Sequence, residues 1–247
     1  TEYLCVFFMI ASSLPFIRYV QLTSGNFKAT FFDSQVRAFL IILISITVIL
    51  FSWLMFQQTH SIEYALRKTL FNGVSILTGT GYSSDNYMLW GSFPISIFFV
   101  IGLIGGCAGS TTCSIKVFRF QILFSAIGSQ IKQMHFPSAV VATRYEGKRV
   151  SVDIVSSVIA FFILFFASLF LIALALSATG LDFVTAISGA VSTLANIGPG
   201  LGERIGPIGN YAELNNVAKL ILIFSMFVGR LELMVVNVLF TLTFWRG

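Results

Sequence analysis

The sequence predicts an all-α membrane protein in which a unit of one long helix, one re-entrant half-helix and a second helix occurs twice. Three observations predict this fold class: the composition, two long uncharged stretches and an internal repeat. Of the 247 residues, 56% are hydrophobic and only 10% are charged, and the mean hydropathy is +0.90. A soluble domain carries about 25% charged residues. The composition therefore excludes a soluble enzyme and a disordered scaffold, and it predicts a chain that lies in a lipid bilayer.

The first apolar stretch runs from Tyr3 to Leu22 and contains Pro15. Because proline breaks the hydrogen bonding of a helix interior, we expect the end of a spanning helix that kinks or stops there. The chain begins at Thr1 without a methionine, and the stretch has neither a basic leading region nor a cleavage site. We therefore expect the chain to be a fragment of a longer protein.

Two stretches are long and uncharged enough to cross a bilayer, which takes roughly 20 mostly apolar residues. They run from Ala38 to Thr59 and from Ile154 to Leu181. Each is followed by a shorter element, Ile62 to Leu77 or Asp182 to Leu194, which ends in a glycine-rich turn. The shorter elements are interpreted as half-helices that enter the bilayer and turn back.

Two further apolar stretches are interrupted. Ser92 to Ala126 contains the small-residue tract Gly105 to Ser110, and Val217 to Trp245 contains Arg230 and Glu232. Each glycine weakens a helix by about 1 kcal/mol, and a charge at bilayer depth is costly. These interruptions therefore indicate positions with a specific role.

An internal repeat relates the two halves of the chain. The segment from Val74 to Gly81 aligns with the segment from Val191 to Gly198 at a constant shift of 117 positions. Identical residues are modest in number, but each copy follows a long span and a short amphipathic helix. The unit of helix, half-helix and helix is therefore predicted to occur twice.

Charge placement predicts the orientation in the membrane. More basic residues fall on the side that carries the linker 128–150 than on the opposite side. By the positive-inside rule the linker side is cytoplasmic, and the half-helices enter from outside. The basic residues on the linker side are Arg18, Lys28, Arg37, Lys116, Arg119, Lys132, Arg144, Lys148, Arg149 and Arg246, and those opposite are Arg67, Lys68, Arg204 and Lys219.

The glycine-rich turns at the ends of the half-helices are candidate ion sites. Glycine permits backbone angles that turn carbonyl oxygens towards an axis, and a ring of carbonyls can replace the hydration shell of a cation. The negative end of each half-helix dipole adds to this preference. A plain helix cap is the alternative for either turn alone, and the matched positions of the two turns weaken it. The candidate residues are Thr78, Gly79, Thr80, Gly81, Tyr82, Asn196, Ile197, Gly198 and Pro199.

Three motifs carry a resemblance to a known family. They are Thr-Gly-Thr-Gly-Tyr at 78–82, Gly-Gly-Cys-Ala-Gly-Ser-Thr-Thr-Cys-Ser-Ile-Lys at 105–116, and Ala-Asn-Ile-Gly-Pro-Gly at 195–200 with Arg230 downstream. In these places, and over essentially its whole length, the chain resembles the Trk/Ktr/HKT superfamily of cation transport proteins. The resemblance implies four repeats of helix, pore helix and helix around a central ion pore, of which two are present.

The resemblance also implies a role for each part of the chain. Residues 1–35 are the end of the preceding repeat's inner helix and a cytoplasmic connection, 36–127 the third pore repeat, 128–150 a basic cytoplasmic linker and 151–247 the fourth pore repeat. The candidate turn residues become a selectivity filter that binds potassium. The broken inner helix becomes a gating loop beneath the filter, together with a basic residue of the last helix. The implied gating residues are Gly105, Gly106, Cys107, Ala108, Gly109, Ser110, Thr111, Thr112 and Arg230.

Two of these assignments have alternatives. Gly102, Gly106 and Ser110 follow the small-xxx-small spacing of closely packed helices, so the tract is a packing seam on a second interpretation. It lacks the lysine of a phosphate-binding loop. Arg230 either places a positive charge beneath the filter or bonds to backbone carbonyls or to an acid of a neighbouring repeat.

The expected function is potassium uptake through a channel in a bacterial inner membrane, which the chain crosses several times. The alternatives are a sodium- or proton-coupled symporter of the same fold and a non-conducting structural membrane subunit. No enzyme activity, organic cofactor or nucleic-acid partner is expected, and the three cysteines predict neither a disulfide framework nor a zinc site. The expected partners are the missing first two pore repeats, a second copy in a homodimer and, from the resemblance, a cytoplasmic nucleotide-binding regulatory subunit.

Overall fold

The first two helices meet in a sharp bend at Pro15. The computed structural model describes residues 1–25, 33–57, 61–136 and 141–230. Helices α1 (Glu2–Ser12) and α2 (Phe16–Thr23) are bent by 94° at the break between them, and Pro15 is the N-cap of α2. Since proline supplies no N–H to a preceding turn but suits a helix start, the predicted kink is confirmed.

The next elements form the first copy of the predicted unit. Long helix α3 (Ser34–Phe56) begins at Asp33, whose carboxylate accepts hydrogen bonds from the first helical turn. Half-helix α4 (Ile62–Leu77) begins at Ser61, which caps it through its hydroxyl. Its bounds are those predicted from the sequence. The unit continues with a 3-10 helix (Tyr87–Trp90), α5 (Ser92–Gly102) and α6 (Val117–His135).

The basic linker contains more regular structure than its composition indicated. Helix α6 continues to His135, beyond the boundary at residue 127 that separated repeat from linker. A short antiparallel hairpin of β1 (Arg144–Tyr145) and β2 (Lys148–Arg149) follows. Its turn residues Glu146 and Gly147 have φ of 50° and 76°, as in a two-residue hairpin turn. This hairpin was not predicted.

The second copy of the unit follows the hairpin. Long helix α7 (Val152–Ala178) begins at Ser151, and half-helix α8 (Phe183–Leu194) begins at Asp182. A 3-10 helix (Tyr211–Glu213) then leads to α9 (Asn216–Arg230). The continuation predicted to Trp245, with Glu232 and Arg246, lies outside the described residues, as does Lys28.

Burial separates the long helices from the half-helices. Among the described residues, α3 and α7 are long and apolar enough to cross a membrane, and α1 with α2 adds a third candidate span if the bent pair counts as one. Only 33% and 28% of the apolar stretches of α3 and α7 are buried. By contrast, 71–77 of α4 and 188–194 of α8 are buried throughout. The half-helices therefore lie inside the helix bundle, and the long helices present apolar side chains outwards, as lipid contact requires.

Candidate ion filter and gate

The turn after α4 is held by the end of its own helix. The N–H of Thr78 donates to the carbonyl of Val74 at 2.8 Å. The N–H groups of Thr80 and Gly81 both donate to the carbonyl of Ser75, at 2.9 and 3.3 Å. Because N–H and C=O point in opposite directions across a trans peptide, the carbonyls of the turn face away from the helix.

The turn after α8 repeats two of these three hydrogen bonds at the shift found in the sequence. The N–H of Ala195 donates to the carbonyl of Val191 at 2.9 Å. The N–H of Ile197 donates to the carbonyl of Ser192, also at 2.9 Å. The internal repeat inferred from the sequence therefore extends to the backbone geometry of the two candidate filter turns.

In both turns, residues of positive φ alternate with residues of negative φ. The left-handed residues are Gly79 (φ 67°) and Gly81 (φ 78°) in the first turn, and Asn196 (φ 54°) and Gly198 (φ 117°) in the second. Asparagine tolerates this region better than most residues, so Asn196 replaces a glycine without changing the turn. Alternation gathers the N–H groups on one side and leaves the carbonyls on the other, as a cation site requires.

The two turns are in direct contact. A Cβ added to Gly81 would lie 1.9 Å from the carbonyl oxygen of Ile197 and 3.1 Å from Cδ of Pro199. The side chain of Ile197 is buried beside Gly102, where an added Cβ would meet it at 3.2 Å. The side chain of Tyr82 is instead 67% exposed. The candidate filter residues of the two repeats therefore belong to one site that only a glycine at position 81 permits.

One carbonyl of the second turn is engaged inside the protein. The oxygen of Gly198 accepts hydrogen bonds from the hydroxyls of Ser192 at 2.7 Å and Tyr211 at 2.6 Å. A carbonyl oxygen has two lone pairs, so both are occupied. The carbonyls of 78–81 and 195–197 accept no hydrogen bond from any described residue. These oxygens have no hydrogen-bond donor in the described part of the chain, and that of Ile197 packs against Gly81.

The tract between α5 and α6 is a loop. Helix α5 ends at Gly102, and the neck of the loop is closed by hydrogen bonds between its two sides. The N–H of Gly105 donates to the carbonyl of Ile115 at 2.9 Å, and the N–H of Ile115 donates to that of Leu103 at 3.2 Å. Because residues 105–114 are not helical, the small-residue spacing does not form a seam between helices.

Neighbouring elements anchor the loop from outside. The N–H of Cys107 donates to the carbonyl of Ser13, at the bend between α1 and α2, at 3.1 Å. The N–H of Ala108 donates to the side-chain oxygen of Gln35, in the first turn of α3, at 2.9 Å. The loop is therefore held between the bend after α1 and the start of α3.

Hydroxyl groups hold the loop from inside. The Oγ1 of Thr112 accepts a hydrogen bond from the N–H of Gly106 at 2.9 Å. It also lies 2.9 Å from the Oγ of Ser110, which donates to the carbonyl of Cys107 at 2.7 Å. Thr111 and Gly109 are the exposed residues of the loop. The conformation of the loop is therefore fixed by hydrogen bonds from its hydroxyl groups, in addition to the backbone freedom of its glycines.

Arg230 reaches the loop from α9. Its Nη1 donates to Sγ of Cys113 at 3.2 Å. The two residues line a cavity of about 180 Å³ together with Lys116, Arg119 and the end of α8 at Leu194. Within the described part of the chain no carboxylate forms an ion pair with Arg230. The residues implied in gating thus lie together, and basic side chains surround the space beside them.

A cluster of charges at the start of α4 was not predicted from the sequence. The buried Lys68 donates to the carboxylate of Glu2 at 2.9 Å and to the carbonyl of Ser84 at 2.8 Å. Arg67 donates to the same carboxylate at 2.9 Å. These contacts fasten α1 to the half-helix, and no local pattern could indicate a pairing between residues so far apart in the chain.

The start of α8 carries a negative charge outside the membrane-spanning helices. Hydrogen bonds from the side chain and the backbone N–H of Thr185 hold the pKa of Asp182 below its ordinary value. The carboxylate is therefore ionised at neutral pH. It caps the helix and favours cations on this side of the molecule.

Comparisons with known proteins agree on one family. The family model named TrkH, a cation transport protein, matches residues 29–245. The Trk system potassium uptake protein TrkI of Halomonas elongata is 41% identical over 97% of this chain and 48% of its own length. TrkH of Escherichia coli is 32% identical over 98% of this chain and 50% of its own length. The crystal structure of the potassium transporter TrkH from Vibrio parahaemolyticus matches with a TM-score of 0.92 and 32% identity, over 99% of this chain and 52% of that chain.

These matches bear on the fold, the length and the family. The structural match confirms the predicted fold class, an all-α membrane protein of repeated helix, re-entrant helix and helix units. The chain spans about half the length of the curated relatives it matches. Because the family model covers most of the chain, including both candidate filter turns, the loop and Arg230, the chain belongs to the TrkH family of cation transport proteins.

Proposed function

We propose that this chain forms the third and fourth pore repeats of a potassium uptake protein. Its relatives carry the name potassium uptake protein, and the chain spans about half of their length. Residues 36–127 and 151–247 are the two repeats, 1–35 end the preceding inner helix, and 128–150 connect the repeats on the cytoplasmic side. Two further repeats complete the pore.

The observation that carries the proposal is the matched pair of turns. Their N–H groups are tied to the half-helices, and the carbonyls of 78–81 and 195–197 accept no hydrogen bond from the described residues. A potassium ion that sheds its water needs oxygen ligands, and a ring of backbone carbonyls supplies them. The C-terminal ends of α4 and α8 add partial negative charge at the same place. Two repeats contribute half of the ring, with Tyr82, Gly198 and Pro199 shaping the turns.

The loop 105–112 and Arg230 form the proposed gate. Arg230 contacts Cys113 just beyond the loop, so both parts act on the same passage. Two unit charges 4 Å apart interact by about 4 kcal/mol at an effective dielectric constant near 20, and water in the passage lowers this several-fold. A guanidinium therefore raises the barrier for a cation, and the loop narrows the path.

The proposed setting is a bacterial inner membrane with the linker in the cytoplasm. There the basic residues of the linker face a nucleotide-binding regulatory subunit, and two copies of the complete protein form a homodimer. Both partners and the membrane are inferred from the resemblance and from the charge distribution.

Rubidium uptake into cells that lack potassium transport tests the proposal. We expect uptake by the four-repeat assembly that contains this chain and none by the chain alone. Arg230→Ala should raise the rate, since a barrier lower by about 1 kcal/mol raises a rate about fivefold, whereas Arg230→Lys, which keeps the charge, should not. Absence of uptake at normal membrane levels would favour a structural subunit. A strict requirement for a sodium or proton gradient would favour symport.

A further inference from the structure

The matched serines of the two half-helices differ in what their hydroxyls contact. Ser75 and Ser192 are both buried, with exposed fractions of 0% and 2%, and their carbonyls accept equivalent hydrogen bonds. The hydroxyl of Ser192 donates to the carbonyl of Gly198. The hydroxyl of Ser75 has no hydrogen-bond partner among the described residues. The last carbonyl of the candidate filter turn therefore accepts a hydrogen bond from the half-helix serine at Gly198 but not at Gly81.

Tyr211 completes the contact in the fourth repeat only. Its hydroxyl lies 2.6 Å from the oxygen of Gly198 and 3.3 Å from Oγ of Ser192. The 3-10 helix that carries it is held at its start by Asn210, whose side chain accepts from the N–H of Ala212 at 2.9 Å. The hydroxyl of Tyr211 is thus positioned by the 3-10 helix, which is separate from α8 and from the turn that contains Gly198.

The third repeat also has a tyrosine at the start of its 3-10 helix. Tyr87 is buried and packs its ring against Phe98 at 4.3 Å between centroids. No hydrogen bond joins its hydroxyl to Ser75 or Gly81 in the described part of the chain. The carbonyl of Gly81 is therefore left open, although the two repeats share the same element.

We propose that Tyr211 is a positioning residue of the filter, whose hydroxyl acts with that of Ser192 to hold the Gly198 carbonyl away from the ion. The proposal rests on the proposed function as a potassium pore. The third repeat presents the carbonyls of 78–81 and the fourth those of 195–197, so the ring of ligands is unequal. The two hydrogen bonds to Gly198 restrain the turn after α8, and this keeps its remaining carbonyls at the spacing that a potassium ion requires.

Loss of the phenolic hydroxyl of Tyr211 should make the turn after α8 more flexible. One lone pair of the Gly198 carbonyl becomes free, and no atom within 4 Å of the position of a Cβ hinders this glycine. The peptide can then rotate towards the ion. A turn that adapts in this way also accommodates sodium, which needs shorter distances to its ligands, so the preference for potassium falls.

Competition between sodium and rubidium in proteoliposomes tests this role. Tyr211→Phe in the four-repeat assembly should lower the preference for rubidium about fivefold, the ratio that corresponds to one hydrogen bond of about 1 kcal/mol. Ser192→Ala should act in the same direction, and the double variant should add less than the sum because both hydroxyls act on one carbonyl. Tyr87→Phe is the matched control and should leave the preference unchanged. Ser75→Ala should change it less than Ser192→Ala.

The outcomes separate this role from the pore itself. If the unsubstituted assembly carries no rubidium, the proposed pore is overturned and the role of Tyr211 with it. If it conducts and Tyr211→Phe has the preference of Tyr87→Phe, only the role of Tyr211 is overturned. A lower melting temperature for Tyr211→Phe without a change in ion preference would likewise assign the hydroxyl to stability alone.

Discussion

At the scale of single residues, the two glycines of the first candidate filter turn are required for different reasons. Both have positive φ, 67° at Gly79 and 78° at Gly81. A Cβ on Gly79 would meet nothing within 4 Å, whereas one on Gly81 would lie 1.9 Å from the carbonyl oxygen of Ile197. At Gly79, glycine is needed only for the left-handed backbone of the turn. At Gly81, it is also needed for the close contact with the turn after α8.

Substitution by alanine should therefore separate the two roles. Gly79→Ala introduces only the cost of a left-handed residue, about 1 kcal/mol. Gly81→Ala adds a clash with a backbone atom that cannot move without shifting the second turn, and overpacking of this kind costs about 1 to 3 kcal/mol more. We expect a clearly larger fall in melting temperature in detergent for Gly81→Ala, together with altered ion preference. Equal melting temperatures would contradict the contact between the turns.

At the scale of elements, the loop 105–112 of the proposed gate depends on neighbours that are distant in sequence. Its residues Cys107 and Ala108 donate to Ser13 and Gln35, which belong to the bend after α1 and to the first turn of α3. A glycine-rich loop would otherwise sample many conformations. Its position is therefore maintained by the elements around it and not by its own composition.

Removal of the hydrogen bond from Ala108 to Gln35 should make the loop of the proposed gate more mobile. Gln35→Ala leaves the N–H of Ala108 without its acceptor, which costs about 1 to 3 kcal/mol where water cannot replace it. We expect higher basal rubidium uptake and faster hydrogen exchange in 105–112. Gln35→Glu retains an acceptor oxygen and serves as the control. Lower uptake at normal membrane levels would mean instead that an ordered loop is needed for conduction.

At the scale of the whole molecule, α1 connects the two ends of the candidate site. Near its start, Glu2 pairs with Lys68 at the beginning of α4, and just past its end Ser13 accepts a hydrogen bond from Cys107 of the loop. Helix α1 therefore runs from the beginning of α4 to the loop 105–112. This course agrees with an outer start and a cytoplasmic end for the segment.

Labelling of single cysteines tests that orientation. In an assembly whose native Cys5, Cys107 and Cys113 are replaced, Glu213→Cys should react with a membrane-impermeant maleimide on intact cells, because this exposed residue lies on the predicted outer side. Gln133→Cys, exposed near the end of α6, should react only after permeabilisation. The reverse pattern would invert the predicted topology.

Much of the fold follows from local features of the sequence. The bounds of α4, the bend at Pro15 and the interruption of the apolar stretch 92–126 were predicted because apolar runs, caps and helix breakers act on adjacent residues. The repeat placed the two candidate filter turns in equivalent positions for the same reason. The hairpin at 144–149 was missed because its strands are only two residues long and carry no apolar alternation.

What the sequence by itself determined is thus the set of spans, half-helices and turns. Only the tertiary structure decided which of these meet: the contact of Gly81 with Ile197, the anchoring of the loop on Gln35, and the hydrogen bond from Tyr211 to Gly198. Each of these contacts joins elements whose separation in the chain carries no periodic signal. Their partners are selected by helix packing, which brings particular backbone groups within hydrogen-bond distance or van der Waals contact only once the bundle has formed.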